Sequence, residues 1–236
     1  MTEVSSASDI GCVRTSNEDS FGIFGDVYVV ADGLGGHAAG EVASRIVVAA
    51  VRASAEGDPA PDASVLVGAV RRANRQVREA AEENPAYDGM GSTATVLRID
   101  EAAGTAYYAH VGDSRLYLLR GGALRQVSRD HSYVEELVAQ GKLSEDEAQH
   151  HPRKNLLMRA VGVDEELEVD GDAFPIEAGD RFLLATDGLT NMVEDDELRD
   201  LLAGAIAGAA DRMVERAIAA GGRDNITAIA VAYVPS

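Results

Sequence analysis

The order of elements along this 236-residue chain predicts an α+β sandwich of two antiparallel sheets. Three observations carry that expectation. Short apolar runs end repeatedly at tight, mostly glycine-containing turns. Two amphipathic helical stretches separate the early runs from the middle ones, and two more precede the last run.

Taken in order, residues 21–31 read as two short strands around Gly25-Asp26, ending at Asp32. From Glu41, the residues Val42, Ile46, Val47 and Ala50 recur at helical spacing until Glu56-Gly-Asp-Pro-Ala-Pro61 stops the pattern. A second helix is expected over 64–82. Its buried stripe would be Val65, Ala69, Val70, Ala73 and Val77, with Arg71, Arg72, Arg75 and Arg78 toward solvent. Strands follow at 93–99, 105–111 and 116–119, with Gly121-Gly122 as a hairpin turn, and they read as alternating apolar and polar. After Asp130-His-Ser132 comes a helical insertion around 132–155. It holds a short helix stopped by Gly141 and a capping box at Ser144-Glu-Asp-Glu147. Strands at 181–186 and 226–234 enclose helical stretches at 195–202 and 212–220. There is no internal repeat and no low-complexity linker, so one domain over 1–236 is expected.

Composition narrows the function. Hydrophobic residues make up 46% of the chain, enough for a large core, and the formal net charge is -19. That charge argues against a nucleic-acid or anionic-membrane partner, since both need basic patches. Cys12 is the single cysteine, so no internal disulfide framework is possible. The amino terminus does not read as a secretory signal, and no apolar segment approaches the ~20 residues that span a bilayer. A cytoplasmic location is the expectation.

The chemistry lies in the turns. Asp19, Asp32, Asp113, Asp187 and Asp224 each sit where a strand meets a turn, and a carboxylate there projects beyond the sheet. One Asp-Gly pair is ordinary turn chemistry. The recurrence points instead to carboxylates gathered on one rim, where their repulsion is relieved by divalent ions. Oxygen ligands without cysteine or paired histidine favour Mg²⁺ or Mn²⁺. Metal-assisted hydrolysis or phosphoryl transfer follows, with Asp32 as the candidate bridge between two ions, the Gly33 carbonyl as an added ligand, and Asp187 and Asp224 completing the first ion. Arg14, five positions before Asp19, offers a planar donor fork for phosphate oxygens. Covalent cysteine chemistry is excluded because position 18, where a phosphate-cradling arginine would follow Cys12, is glutamate. A lysine-bearing phosphate loop is also missing, since Asp32-Gly-Leu-Gly-Gly-His37 lacks the Gly-Lys-Ser/Thr ending.

Seven motifs in order resemble the metal-dependent protein serine/threonine phosphatases of type 2C in their compact bacterial form. They are Arg14-x-x-Asn-Glu-Asp19, Val30-Ala-Asp-Gly-Leu-Gly-Gly-His-x-x-Gly40, Gly91-Ser-Thr93, Val111-Gly-Asp-Ser-Arg115, Asp130-His-Ser132, Ala185-Thr-Asp-Gly-Leu189 and Gly222-Arg-Asp-Asn-Ile-Thr227. The resemblance implies a four-layer α-β-β-α sandwich, two antiparallel sheets flanked by helix pairs, with a flap at 132–155 and two Mn²⁺ or Mg²⁺ ions at one end. It implies Asp19 on the second ion, directly or through water, and a third, weaker ion at Asp113 with Asp187 shared. Arg14 would bind phosphate, Asn225 would support the bridging water, and His37 would be the general acid for the leaving alkoxide. His37 stands three residues further from Asp-Gly than the histidine of animal members. The His150-His151 pair could assist proton transfer or substrate contact, with helix capping as the plainer role. The function so implied is hydrolysis of phosphoserine and phosphothreonine in proteins by metal-activated water, opposing a serine/threonine kinase, by a monomer. A phosphoprotein-binding domain without turnover is the alternative of another class.

Overall fold

The computed structural model describes residues 2–35, 39–57 and 61–234. In chain order, β1 (Thr2–Asp9), β2 (Ser20–Phe24), β3 (Val27–Ala31) and the two-residue β4 (Gly33–Leu34) lead into α1 (Ala39–Gly57) and α2 (Ala63–Glu83). Next come β5 (Gly91–Ser92), β6 (Ala94–Asp100), β7 (Thr105–Val111), β8 (Arg115–Arg120) and β9 (Ala123–Gln126). The flap holds α3 (Tyr133–Ala139) and α4 (Glu145–Gln149), and β10 (Asp170–Pro175) and β11 (Arg181–Ala185) follow. The chain closes with α5 (Asp187–Thr190), α6 (Asp195–Ala203), α7 (Ala209–Ala219) and β12 (Ile226–Tyr233). One sheet runs β1-β12-β11-β8-β9 and the other β10-β7-β6-β3-β2, every pair antiparallel.

Three apolar clusters correspond to three interfaces between four layers. Val27, Val29, Val96 and Val111 face α1 and α2, while Tyr28, Val30, Leu97, Leu118, Phe182, Leu184 and Val231 fill the space between the sheets. Leu183, Ala185, Ala228 and Ala230 face α5, α6 and α7. Neighbours such as Phe182 and Leu183 enter different clusters because side chains alternate across a strand. The central strands are therefore apolar on both faces, not alternating with polar residues as expected, since each sheet is covered by helices on one side and its partner on the other. Alanines on the α7 side of β12 leave room for Met213, Val214 and Ala217 to pack.

Helix α2 shows how local sequence sets an element. Asp62 is its N-cap, its side chain accepting the Ser64 N–H at 2.8 Å. The stripe turned inward is Leu66, Ala69, Val70, Ala73 and Val77, and Val65 is only half-buried beside it. Asn74 joins the stripe because its amide is consumed, donating to Asp164 O at 2.9 Å and accepting Gly162 N–H at 2.6 Å. The two-residue β8–β9 hairpin has Gly121 and Gly122 at φ 58° and 82°, the pair of left-handed residues that such a turn demands. The flap is bounded by an antiparallel bridge between Ser132 and Leu157, and the Ser144–Glu147 capping box is formed in both directions. Among the described residues no helix is long and apolar enough to cross a membrane.

Candidate metal centre

Antiparallel pairing brings the predicted acids to one end of the sandwich. Ser20 at the start of β2 pairs with Ala31 at the end of β3, and Ala185 at the end of β11 pairs with both Ala228 near the start of β12 and Arg115 at the start of β8. Strand ends and strand starts thus share an edge, so Asp19, Asp32, Asp113, Asp187 and Asp224 meet there. Asp32 is close enough to Asp19, Asp187, Asp113 and Asp224 for the charge of each to raise its pKa.

Backbone packing, more than side-chain contact, draws the turns together. A Cβ on Gly188 would collide with the Asn225 carbonyl oxygen, and one on Gly11 with the Asp224 carbonyl oxygen, so the Asp187 and Asp224 turns nest through missing side chains. A Cβ on Gly33 would strike Gly40 O and Glu18 O, so the close approach this glycine permits is to its own chain. Asp32 is held from behind, its N–H donating to Thr93 Oγ1 and its carbonyl accepting Thr93 N–H, both at 2.9 Å.

Several acids use one oxygen for anchorage. Thr186 Oγ1 donates to Asp19 Oδ2 at 2.8 Å, Asn191 Nδ2 to Asp187 Oδ2 at 2.9 Å, and Arg14 Nη2 to Asp224 Oδ2 at 2.8 Å. Asp19 Oδ1 and Asp187 Oδ1 are buried with no hydrogen-bond partner. Leaving such atoms unpaired is costly, and a hard cation is the partner that suits a carboxylate oxygen. Among the described residues no three His, Cys, Asp or Glu side chains already stand as a closed ligand cluster, so the fit rests on these free oxygens and on the donor chemistry.

Charge crowding and burial raise the acids' pKa values. Desolvation lifts Asp19 to about 7, opposed by the hydrogen bond from Thr186. It lifts Asp113 to about 8, with the charges of Asp187 and Asp130 adding and Arg115 opposing. Desolvation and then Asp224 raise Asp187 to about 6, and desolvation followed by its four acidic neighbours holds Asp32 well above the usual carboxylate range. Arg115, bidentate on Asp130 through Nε to Oδ1 and Nη2 to Oδ2, is a fixed cation whose charge lowers the pKa of both Asp113 and Asp187.

Arg14 lies at the rim, 48% exposed, beside Asp224. Asn225 is 4% exposed, and its amide is occupied: Oδ1 accepts Glu18 N–H at 2.8 Å while Nδ2 donates to Ile10 O and Ser16 O at 3.0 and 2.9 Å. Both amide hydrogens are spent on the 10–18 loop, so Asn225 acts on the site by holding that loop. Sequence reasoning passed over Glu18, which is 8% exposed with its pKa raised, first by desolvation, beside Arg14 and Asp224. Its adjacency to Asp19 was the available signal. His37 lies outside the described residues. His150 caps α4, its Nδ1 donating to Asp146 O at 2.9 Å, and His151 Nδ1 accepts Arg153 N–H at 3.1 Å. A cleft of about 660 Å³ runs from Asp113 and Asp187 to Ser132, His150 and Lys154 of the flap.

A two-sheet sandwich with acids collected at one end of its strands matches known proteins over nearly its whole length. The family model for protein phosphatase 2C matches residues 14–225, and the chain belongs to that family. It is 40% identical over 224 residues to the serine/threonine protein phosphatase PstP of Mycobacterium tuberculosis, covering 94% of this chain and 43% of that protein. The chain thus spans less than half the length of that relative. With the serine/threonine phosphatase stp of Listeria welshimeri it shares 38% identity over 241 residues, 95% of this chain and 93% of the relative. The crystal structure of the PstP catalytic domain in complex with two manganese ions superimposes with a TM-score of 0.91 at 37% identity, over 99% of this chain and 98% of that one.

Proposed function

We propose that this chain hydrolyses phosphoserine and phosphothreonine in proteins at a dinuclear Mn²⁺/Mg²⁺ centre. It acts as one catalytic unit over residues 1–236, as a monomer, and opposes a serine/threonine kinase in the cytoplasm. The observation that carries the reading is the meeting of five strand-end aspartates with two buried, unpartnered carboxylate oxygens. Relatives named as serine/threonine phosphatases, and the two manganese ions of the PstP domain, support it.

Asp32 would bridge the two ions, with Asp187 and Asp224 on the first and Asp19 and the Gly33 carbonyl toward the second. Asp113 would share a third, weaker ion with Asp187. Such ions supply Lewis acidity, acidifying water and neutralising charge on phosphate oxygens. The chain's own groups do the rest. Arg14 uses Nη2 on Asp224 and leaves N–H groups beyond that bond for phosphate oxygens, which orients the ester over the carboxylates. Asn225 keeps the Arg14 loop in place. His37, five residues after Asp32 in the sequence, is the proton donor proposed for the leaving alkoxide.

A phosphothreonine peptide assayed with Mn²⁺ tests the proposal. Turnover should vanish with chelator and fall at least about 100-fold in Asp187→Asn, which keeps the side chain's shape but removes the charge a hard ion needs. An unmodified protein that binds the peptide with Mn²⁺ present and never releases phosphate would make this a phosphoprotein-binding domain instead.

A further inference from the structure

The Asp130-His-Ser132 motif holds neither phosphate nor a proposed ion, yet His131 is 6% exposed and bonded on every side. Its main-chain N–H donates to Gly112 O at 2.7 Å, and Gly112 N–H donates back to the ring Nδ1 at 3.2 Å. Its carbonyl accepts Met158 N–H at 2.7 Å, beside the Ser132–Leu157 bridge where the flap rejoins the body. Because Nδ1 accepts, the neutral ring carries its hydrogen on Nε2, which lies 3.2 Å from Asp170 Oδ2 on β10. Arg159 Nη1 donates to the other oxygen, Asp170 Oδ1, at 2.8 Å. Its 3.3 Å approach to Nε2 is therefore two donors converging on one carboxylate.

The Gly112 side of this arrangement reaches the acids. Gly112 has φ 106° and no room for a Cβ, which would run into the Thr93 side chain. Thr93 in turn holds both backbone groups of Asp32 and meets Ser114 Oγ at 2.7 Å. The turn bearing Asp113 is thus wedged between Thr93 and His131.

We infer that His131 is a positioning residue whose single ring fixes the Gly112–Asp113 turn through Nδ1 and, through Nε2 on the Asp170 carboxylate that also holds Arg159, steadies the outgoing end of the flap. The placement of Asp113 and of the flap exit are then set by one side chain. The two bonds can be cut separately. Asparagine at this position puts an acceptor near the place of Nδ1 but falls short of Asp170, whereas glutamine reaches toward Asp170 and offers nothing at Nδ1. The catalytic consequence rests on the phosphatase reading; the mechanical one does not.

Hydrogen exchange of the metal-free chain, followed by mass spectrometry, separates the two bonds without turnover. In His131→Asn and in Asp170→Ala, exchange over 156–160 should rise about tenfold, as expected for one lost hydrogen bond, and that over 111–114 should stay within about twofold. In His131→Gln the pattern should invert. With Mn²⁺, His131→Asn should keep hydrolysis of p-nitrophenyl phosphate within about twofold while the phosphopeptide KM rises about fivefold or more, the split expected when only a binding contact is lost. Equal effects of asparagine and glutamine on both segments, or an Asp170→Ala chain whose 156–160 exchange matches the unaltered protein, would overturn the inference. Separated exchange in a chain that hydrolyses neither substrate supports the role of His131 and sinks the phosphatase reading alone.

Discussion

Binding of Mn²⁺ should expel protons, and the number can be worked from the carboxyls themselves. Without a cation, Asp187, Asp19 and Asp113 titrate at about 6, 7 and 8, and Asp32 is raised as well. At pH 6.5 these raised carboxyls together hold on the order of two protons at the place proposed for the ions. A metal ligand must be ionised, so those protons leave, and apparent affinity should rise about tenfold per pH unit for each proton released. The sign for stability follows from the same shifts. A carboxyl raised above its unfolded value contributes most below that unfolded pKa and loses the contribution as pH climbs through the folded one. The metal-free chain should therefore weaken from about pH 4 to pH 8, and Mn²⁺ at about 100 times its Kd should restore about 2.7 kcal/mol. Isothermal titration calorimetry in two buffers of different ionisation enthalpy counts the protons at pH 6.5 and again at pH 8.5, where release should be smaller as Asp187, Asp19 and Asp113 ionise unaided. Asp113→Asn should remove about one proton from the count at pH 6.5. Heats independent of buffer at pH 6.5, or an affinity flat between pH 6 and 8, would refute the idea that crowded, buried carboxyls await a cation.

Three further outcomes follow from packing and burial. Gly188→Ala sets a Cβ against the Asn225 carbonyl, which cannot swing aside, so the Asp187 and Asp224 turns must part. Melting should report a loss of about 1–3 kcal/mol and calorimetry a Mn²⁺ affinity down about tenfold or more. Asn225→Ala strands the buried Glu18 N–H and costs about 1–3 kcal/mol, with limited proteolysis appearing in the 10–18 loop and the phosphopeptide KM rising as Arg14 loosens. Burial, then the neighbouring His131, holds His110 down at about 4, so the unfolded chain takes its proton first as pH falls. Chemical denaturation should show the unaltered protein losing up to about 3 kcal/mol relative to His110→Gln between pH 6.5 and 4; parallel curves would contradict a neutral, buried imidazole.

What could be read from the letters was whatever is set locally. Helices α1 and α2, the glycine hairpin and the Ser144 capping box carry their signals within one or two turns of chain. The strand-end aspartates were legible for the same reason, since each stands against an apolar run. Strand β1 was not, because Thr-Glu-Val-Ser-Ser-Ala-Ser-Asp has one large apolar residue; all eight of its residues instead pair with β12, more than 200 positions away. The edge strand β10 was missed likewise, its Asp-Gly-Asp start and closing proline reading as loop until paired with β7. Asn225 was expected to support the bridging water because the motif alone cannot show which neighbours claim its amide. His131 lay inside a quoted motif with no role until Gly112 and Asp170, 19 residues before it and 39 after it, closed on its ring.

The arrangement also explains how a chain with a net charge of -19 tolerates its most crowded acids. The three apolar interfaces need strands buried on both faces, which leaves the strand ends as the places where polar groups can collect without entering a core. Repulsion there is limited by fixing one carboxylate oxygen to Thr186, Asn191 or Arg14, so the opposing oxygens of Asp19 and Asp187 are aimed and not free to rotate away. Such preorganisation costs stability in the metal-free chain and returns it on binding, because the ordering is complete before the ion arrives. The glycines at 11, 33 and 188 then set how far the acids stand apart, through backbone collisions that a larger residue would force open. The spacing of the strand-end acids is therefore a property of main-chain packing, and substitutions that leave every carboxylate in place should still disturb the proposed centre.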